Sequence, residues 1–132
     1  MQRVRSGTDW EDRVGYSRAV RTGEEVRVAG TTATDENGVV VAPGDPYEQT
    51  VHAIDLVGEA LREAGASLED VVRTRLFVTD IDAWQAVGDA HGEVFGDVRP
   101  ASTMVEVDGL VDPGLVVEIE AEAVVGSGAT TE

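Results

Sequence analysis

The sequence predicts an α+β domain of ββαβαββ order, with its helices on one face of a mixed sheet. Three observations predict it. Five short stretches are rich in β-branched residues, two longer ones between them repeat apolar residues at helical spacing, and Gly, Pro, Asp and Asn punctuate the boundaries. At 132 residues the chain makes one domain with one core, residues 1–125. A Gly/Ser/Thr tail, residues 126–132, is expected to fray.

Residues 1–13 are polar and aperiodic and read as an arm or an edge element. Tyr16–Arg21 and Glu25–Thr32 are strand-like runs around Thr22-Gly23-Glu24, the length of a hairpin turn. A loop follows, with Asp35, Asn37, Gly38, Pro43 and Gly44 around Val39–Val41. Asp45-Pro46-Tyr47-Glu48 starts a helix: a capping Asp, Pro in the first turn, and Glu three residues beyond the cap. Val51, Ile54, Val57 and Leu61 continue it, and Gly65 sits where a left-handed cap would stop it. Val71–Thr79 alternates, with Thr74, Leu76 and Val78 on one face and Arg73, Arg75 and Phe77 on the other. Asp80 or Asp82 caps a second helix carrying Trp84, Val87, His91, Val94 and Phe95, ended by Gly96. Gly88 and Gly92 inside it each cost up to about 1 kcal/mol against Ala, which close approach to a sheet could offset. Thr103–Val107 and Leu115–Val125 read as two strands joined through the Asp112-Pro113-Gly114 turn. The second sets Glu118, Glu120 and Glu122 opposite Val117, Ile119 and Ala121. These three carboxylates are either a solvated outer face or include one aimed into a cleft, where desolvation would let it exchange a proton with water.

Composition narrows the function. The chain has 26 acidic and 10 basic residues, a formal charge of −16, no Lys and no Cys. That charge opposes binding to phosphate backbones or anionic lipid, so neither nucleic acid nor a membrane is an expected partner. It suits a salt-loving source, where screening relieves the repulsion. A GC-rich genome explains Arg in place of Lys but not the carboxylates. No apolar run is long enough to span a bilayer and no leader is evident, which points to the cytoplasm. Without Cys and with only His52 and His91 as imidazoles, neither a metal centre nor a cofactor is expected. His52 reads as exposed and His91 as a packing residue of the core face.

Gly15-Tyr16, Gly30, Gln49, Phe77-Val78, Asp80, Phe95, Pro100-Ala101, Val105-Glu106-Val107 and Glu118-Ile119-Glu120-Ala121 together resemble the Rid family, also called YjgF: reactive intermediate deaminases, some described as ribonucleases. The resemblance runs from about Gly15 to Val124. It implies a chorismate-mutase-like fold and a homotrimer whose sheets form a central barrel, with ligand clefts between subunits. It also implies hydrolysis of enamines or imines of small metabolites to a keto compound and ammonia, with Glu120 holding or activating water and Tyr16 and Gly30 lining the cleft. Ser102 stands where the deaminases carry the Arg that grips the substrate carboxylate; a hydroxyl offers one donor and no charge. Ala29 and Gly88 depart similarly, where Ser and Asn are common. Ser102 and Thr103 are therefore expected to hydrogen-bond the ligand. Arg99 reads as a rim charge, and of Arg73 and Arg75 at least one should meet a carboxylate or reach a cleft. A non-catalytic metabolite-binding trimer is the rival class, and a ribonuclease a third.

Overall fold

The computed structural model describes residues 1–129. Its elements are β1 (Gln2–Val4), α1 (Asp9–Val14), β2 (Ala19–Thr22), β3 (Glu25–Thr32), α2 (Pro46–Glu63), β4 (Val71–Val78), α3 (Trp84–Phe95), β5 (Ala101–Glu106) and β6 (Val117–Val124), with short 3-10 turns at Leu68–Asp70, Ile81–Ala83 and Ser127–Ala129. The six strands form one mixed sheet in the order β1-β2-β3-β6-β4-β5, antiparallel throughout except for the parallel β4–β5 pair. The expected α+β class, with a mixed sheet, is what forms.

Local chemistry accounts for most elements. Asp45 accepts from the Glu48 amide at 3.1 Å to start α2, and Gly65, at φ +85°, closes it. There the Ala66 and Gly65 amides donate to Leu61 and Arg62 carbonyls at 2.8 and 3.0 Å, the paired bonds that consume a helix's last acceptors. The side of α2 bearing Ala53, Ile54, Val57 and Leu61 is buried against a layer of Val26, Val28, Leu76, Val78, Val117, Ile119 and Ala121 from three strands. Alternation along β6, and along β4 from Arg73 onward, therefore leaves Arg73, Arg75, Phe77, Glu118, Glu120 and Glu122 on the opposite, outer face.

Two features differ from expectation at the ends of the chain. The N-terminal arm supplies both an edge strand, β1, and a short helix, α1. Thr8 caps α1 by accepting from the Glu11 amide at 3.2 Å, and Gly15 ends it at φ +88°; these turn residues lie among charges that mask the apolar period. In the tail, the Ser127 hydroxyl donates to the Asp70 carbonyl at 3.0 Å and the Gly128 amide to the Asp70 carboxylate at 3.0 Å. Residues 130–132, the rest of that tail, lie outside the described residues.

The last two strands do not pair as a hairpin. β4 lies between β5 and β6, bonding β5 in parallel through Arg73↔Ala101 to Val78↔Glu106 and β6 antiparallel. The Asp112–Gly114 turn redirects the chain, but β6 is the more apolar strand and takes the position covered by α2, leaving β5 at the edge. The glycines of α3 also answer differently. A Cβ at Gly88 or Gly92 would meet no atom of the described residues within 4 Å, so no close approach to the sheet offsets them within the chain. Gly96 ends α3 in right-handed geometry.

Gln49 locks the loop to the sheet. Fully buried, its amide nitrogen donates to the carbonyls of Val41, Ala42 and Gly114 at 3.2, 3.1 and 2.8 Å, while its oxygen accepts from the Val116 amide at 2.9 Å. One side chain thereby ties the 41–42 loop and the turn before β6 to α2.

Candidate functional site

The feature that organises the outer face is a bulge in β3. Val28 opposes Ala121 and Thr31 opposes Ile119, so Ala29 and Gly30 together face the single residue Glu120. The inserted residue reverses which side chains of β3 point outward: Val26 and Val28 face the core before it, Thr31 and Ala33 after it. Bulges of this kind re-aim side chains, and this one sets Gly30 against the carboxyl of Glu118. A Cβ added at Gly30 would lie 2.9 Å from Glu118 Cδ and 3.0 and 3.2 Å from its two oxygens. Only a residue without a side chain leaves room for the carboxyl.

Around this contact gather Tyr16 and Arg18, from the segment between α1 and β2. Arg18 Nη2 donates to the Gly30 carbonyl at 2.7 Å, and its buried Nε has no partner among the described residues. Burial raises the pKa of Glu118 above the usual carboxylate range, and repulsion from Glu120 adds to this, while the Arg18 cation opposes it. The Tyr16 phenol is raised chiefly by burial, with Arg18 pulling it down and Glu11 and Glu118 pushing it up. A groove of about 300 Å³, lined by Arg3, Arg5, Glu11, Asp12, Gly15, Tyr16 and Ser17, runs beside Tyr16. A half-desolvated carboxyl, its pKa raised by burial, is suited to take a proton from an attacking water and hand one to a basic nitrogen.

The expected site residues fall into three places. Tyr16 and Gly30 sit with Glu118. Glu120 points out one pleat away and meets Arg75 at 3.4 Å, and the strand register aligns Thr103, Arg75 and Glu120 in one row across β5, β4 and β6. Of the two cations weighed on β4, Arg75 has found a carboxylate; the buried Nε of Arg73 has no hydrogen-bond partner among the described residues. Ser102 is on the other side of the sheet. It pairs with Thr74, which faces the helices and donates to Ser102 Oγ at 2.8 Å. His91 Nε2 lies 2.9 Å from the same Thr74 hydroxyl, and its ring packs on Phe95 at 4.6 Å, as a satisfied packing residue would. Its pKa is lowered by burial. His52 is half-buried, with Nε2 3.1 Å from the Thr34 carbonyl, and Arg99 is exposed in left-handed backbone at φ +56°. Among the described residues no cluster of three or more His, Asp or Glu is arranged for a metal ion, and no helix is long and apolar enough to cross a membrane.

Glu118 and Arg18 are the residues that sequence reasoning passed over. Alternation puts Glu118 and Glu120 on one face without ranking them; the Gly30 bulge that distinguishes them is a tertiary fact.

A family model described as Endoribonuclease L-PSP matches residues 9–125. Rv2704 of Mycobacterium tuberculosis, a member of the YjgF/YER057c/UK114 family, superposes with a TM-score of 0.86 at 50% identity, over 94% of this chain and 98% of that one. This chain belongs to the YjgF/Rid family. An uncharacterised protein of Streptomyces coelicolor is 42% identical over 127 residues, 96% of this chain and 94% of its own length. The 3-aminoacrylate deaminase RutC of Acinetobacter baylyi is 36% identical over 108 residues, 82% of this chain and 85% of the relative.

Proposed function

We propose that this Rid protein is a homotrimeric hydrolase of imines or enamines of small metabolites, releasing ammonia in clefts between subunits. The observation that carries the reading is the Glu118 carboxyl, half-buried over Gly30 and flanked by Tyr16 and Arg18. In the reaction, water adds to the electrophilic carbon of the C=N bond while a carboxylate accepts its proton, and the same carboxyl returns that proton to nitrogen. The hydroxyl of the tetrahedral carbinolamine then gives its proton, through the carboxylate, to the amino group, which leaves as ammonia as the carbonyl forms; an enamine first takes a proton at carbon to become the imine. Between Glu118 and Glu120, the geometry favours Glu118 for the proton transfers, because Glu120 is engaged by Arg75. The kinship to a 3-aminoacrylate deaminase supports an enamine-type substrate.

Where the side chains point supports the trimer. Ser102 and Glu118 leave opposite faces of one sheet, so they can line a common cleft only if different protomers supply them. The outer face, with Phe77 and the 42%-exposed Val105 among ion pairs, suits packing against copies in a chorismate-mutase-like central barrel. A cytoplasmic, salt-adapted protein fits the charge. The ribonuclease reading suggested by the family's name requires a polyanion to approach a molecule of charge −16, which repulsion opposes. A metabolite-binding trimer without chemistry would leave its ligand unchanged. The test is hydrolysis of imines generated by an amino-acid oxidase. Acceleration that Glu118→Gln abolishes supports the hydrolase; ammonia release at the same rate with and without the protein rejects it.

A further inference from the structure

Where the deaminase pattern calls for a guanidinium, the chain builds a hydrogen-bonded row of three neutral groups. Thr74, fully buried, stands between His91 Nε2 at 2.9 Å and the exposed Ser102 Oγ at 2.8 Å. A hydroxyl has one proton to give. When Thr74 donates to Ser102, its oxygen accepts from His91 Nε2–H, and Ser102 is free to donate outward. When the row reverses, Thr74 donates to His91 and accepts from Ser102, which then presents lone pairs. Burial disfavours the imidazolium and so favours the uncharged row in both arrangements. Beside it on α3, Gly88 and Gly92 share the stripe of His91 and leave open space where side chains would stand.

We propose that the Ser102–Thr74–His91 row is a subsite for an uncharged carbonyl group of the substrate, a primary carboxamide above all. A carboxamide has one acceptor and two donors, so it complements Ser102 in either arrangement of the row. A carboxylate would gain one hydrogen bond and no countercharge, within a molecule already at −16, and its desolvation would go uncompensated. This deepens the hydrolase reading by naming the group that identifies the substrate, and it rests on that reading only for the claim that the ligand is then hydrolysed.

The test is binding of two product analogues that differ only at this group, pyruvamide and pyruvate, by calorimetry and by the ¹⁵N shift of His91 Nε2. The row predicts pyruvamide binding at least about fivefold tighter than pyruvate, the worth of one net hydrogen bond, with a shift at His91 on pyruvamide addition. Ser102→Ala should erase the preference and Ser102→Arg invert it, while Thr74→Ser, which keeps the hydroxyl, should retain it. Pyruvate binding equally or better, an amide preference that survives Ser102→Ala, or failure of pyruvamide to bind overturns the proposal. Imine hydrolysis assayed alongside separates the two claims. Amide preference without turnover rejects the hydrolase and keeps the subsite; turnover with a carboxylate preference does the reverse.

Discussion

Replacing Gly30 by Ala puts a methyl carbon 2.9 Å from Glu118 Cδ, where carbon atoms settle at about 3.5–4.0 Å. The carboxyl must therefore retreat by about 0.6–1 Å. That retreat costs little stability, because Glu118 is the free end of a flexible side chain and an off-rotamer turn costs about 0.5–1.5 kcal/mol. Ala in place of Gly returns about 0.4–1 kcal/mol by limiting the unfolded chain, since no left-handed backbone is required here. The net change should be within about 1 kcal/mol. Function should respond far more: a displacement of about 1 Å of a positioned group costs about 100-fold, so imine hydrolysis should fall about 10- to 100-fold. The displaced carboxyl, nearer water, should also titrate closer to an ordinary Glu. Thermal unfolding, turnover and a ¹³C titration of the Glu118 carboxyl read the three effects. Unchanged turnover and titration in Gly30→Ala would refute the placement of the carboxyl over Gly30; collapse of the fold would refute the assignment of the clash to a yielding side chain.

Three further outcomes are expected. Because the folded-state pKa of Glu118 is raised, the native state binds the proton more readily than the unfolded chain, and stability falls as pH rises from the unfolded value through the folded one. Glu118→Gln should remove that fall, unfolding at higher denaturant than wild type at neutral pH; a wild-type advantage there contradicts the desolvation argument. Gln49→Leu leaves the loop carbonyls and the Val116 amide without their buried partner, and should cost about 3 kcal/mol in urea unfolding with an unchanged denaturant slope; a loss below about 1 kcal/mol would show that the loop finds other partners. The charge of −16 predicts that the melting temperature climbs steadily between roughly 0.05 M and 1 M salt as repulsion is screened, and a flat profile would remove the salt-adapted reading.

What could be read from the residues was whatever short-range chemistry determines. Asp45, Pro46, Glu48 and Gly65 mark both ends of α2 because capping involves residues a turn apart, and alternation along β4 and β6 sorts core from outer face because pleating is local. Strand neighbours are not local. The Asp112–Gly114 turn is equally compatible with a hairpin and with a strand slotted between its arms, and only the burial of β6 under α2 decides. The same limit applied at the site. Alternation placed the glutamates in one row, but that Gly30 abuts Glu118 and not Glu120 is set by the bulge at Ala29–Gly30. Ser102 and Thr103 are neighbours in the chain, but adjacent strand residues leave opposite faces; Ser102 joins Thr74 and His91, and Thr103 joins Arg75.

The proposal that each cleft is completed by two protomers meets its most direct test in subunit mixing. Glu118→Gln and Ser102→Trp, each inactive alone and each folded, are unfolded together, refolded as a random mixture and assayed for imine hydrolysis. If one protomer supplies Glu118 and its neighbour Ser102, about a quarter of the clefts carry both intact residues, and activity returns to about a quarter of wild type. A mixture as inactive as its parents would contradict the shared cleft, because every site within a single chain would still carry one of the two lesions.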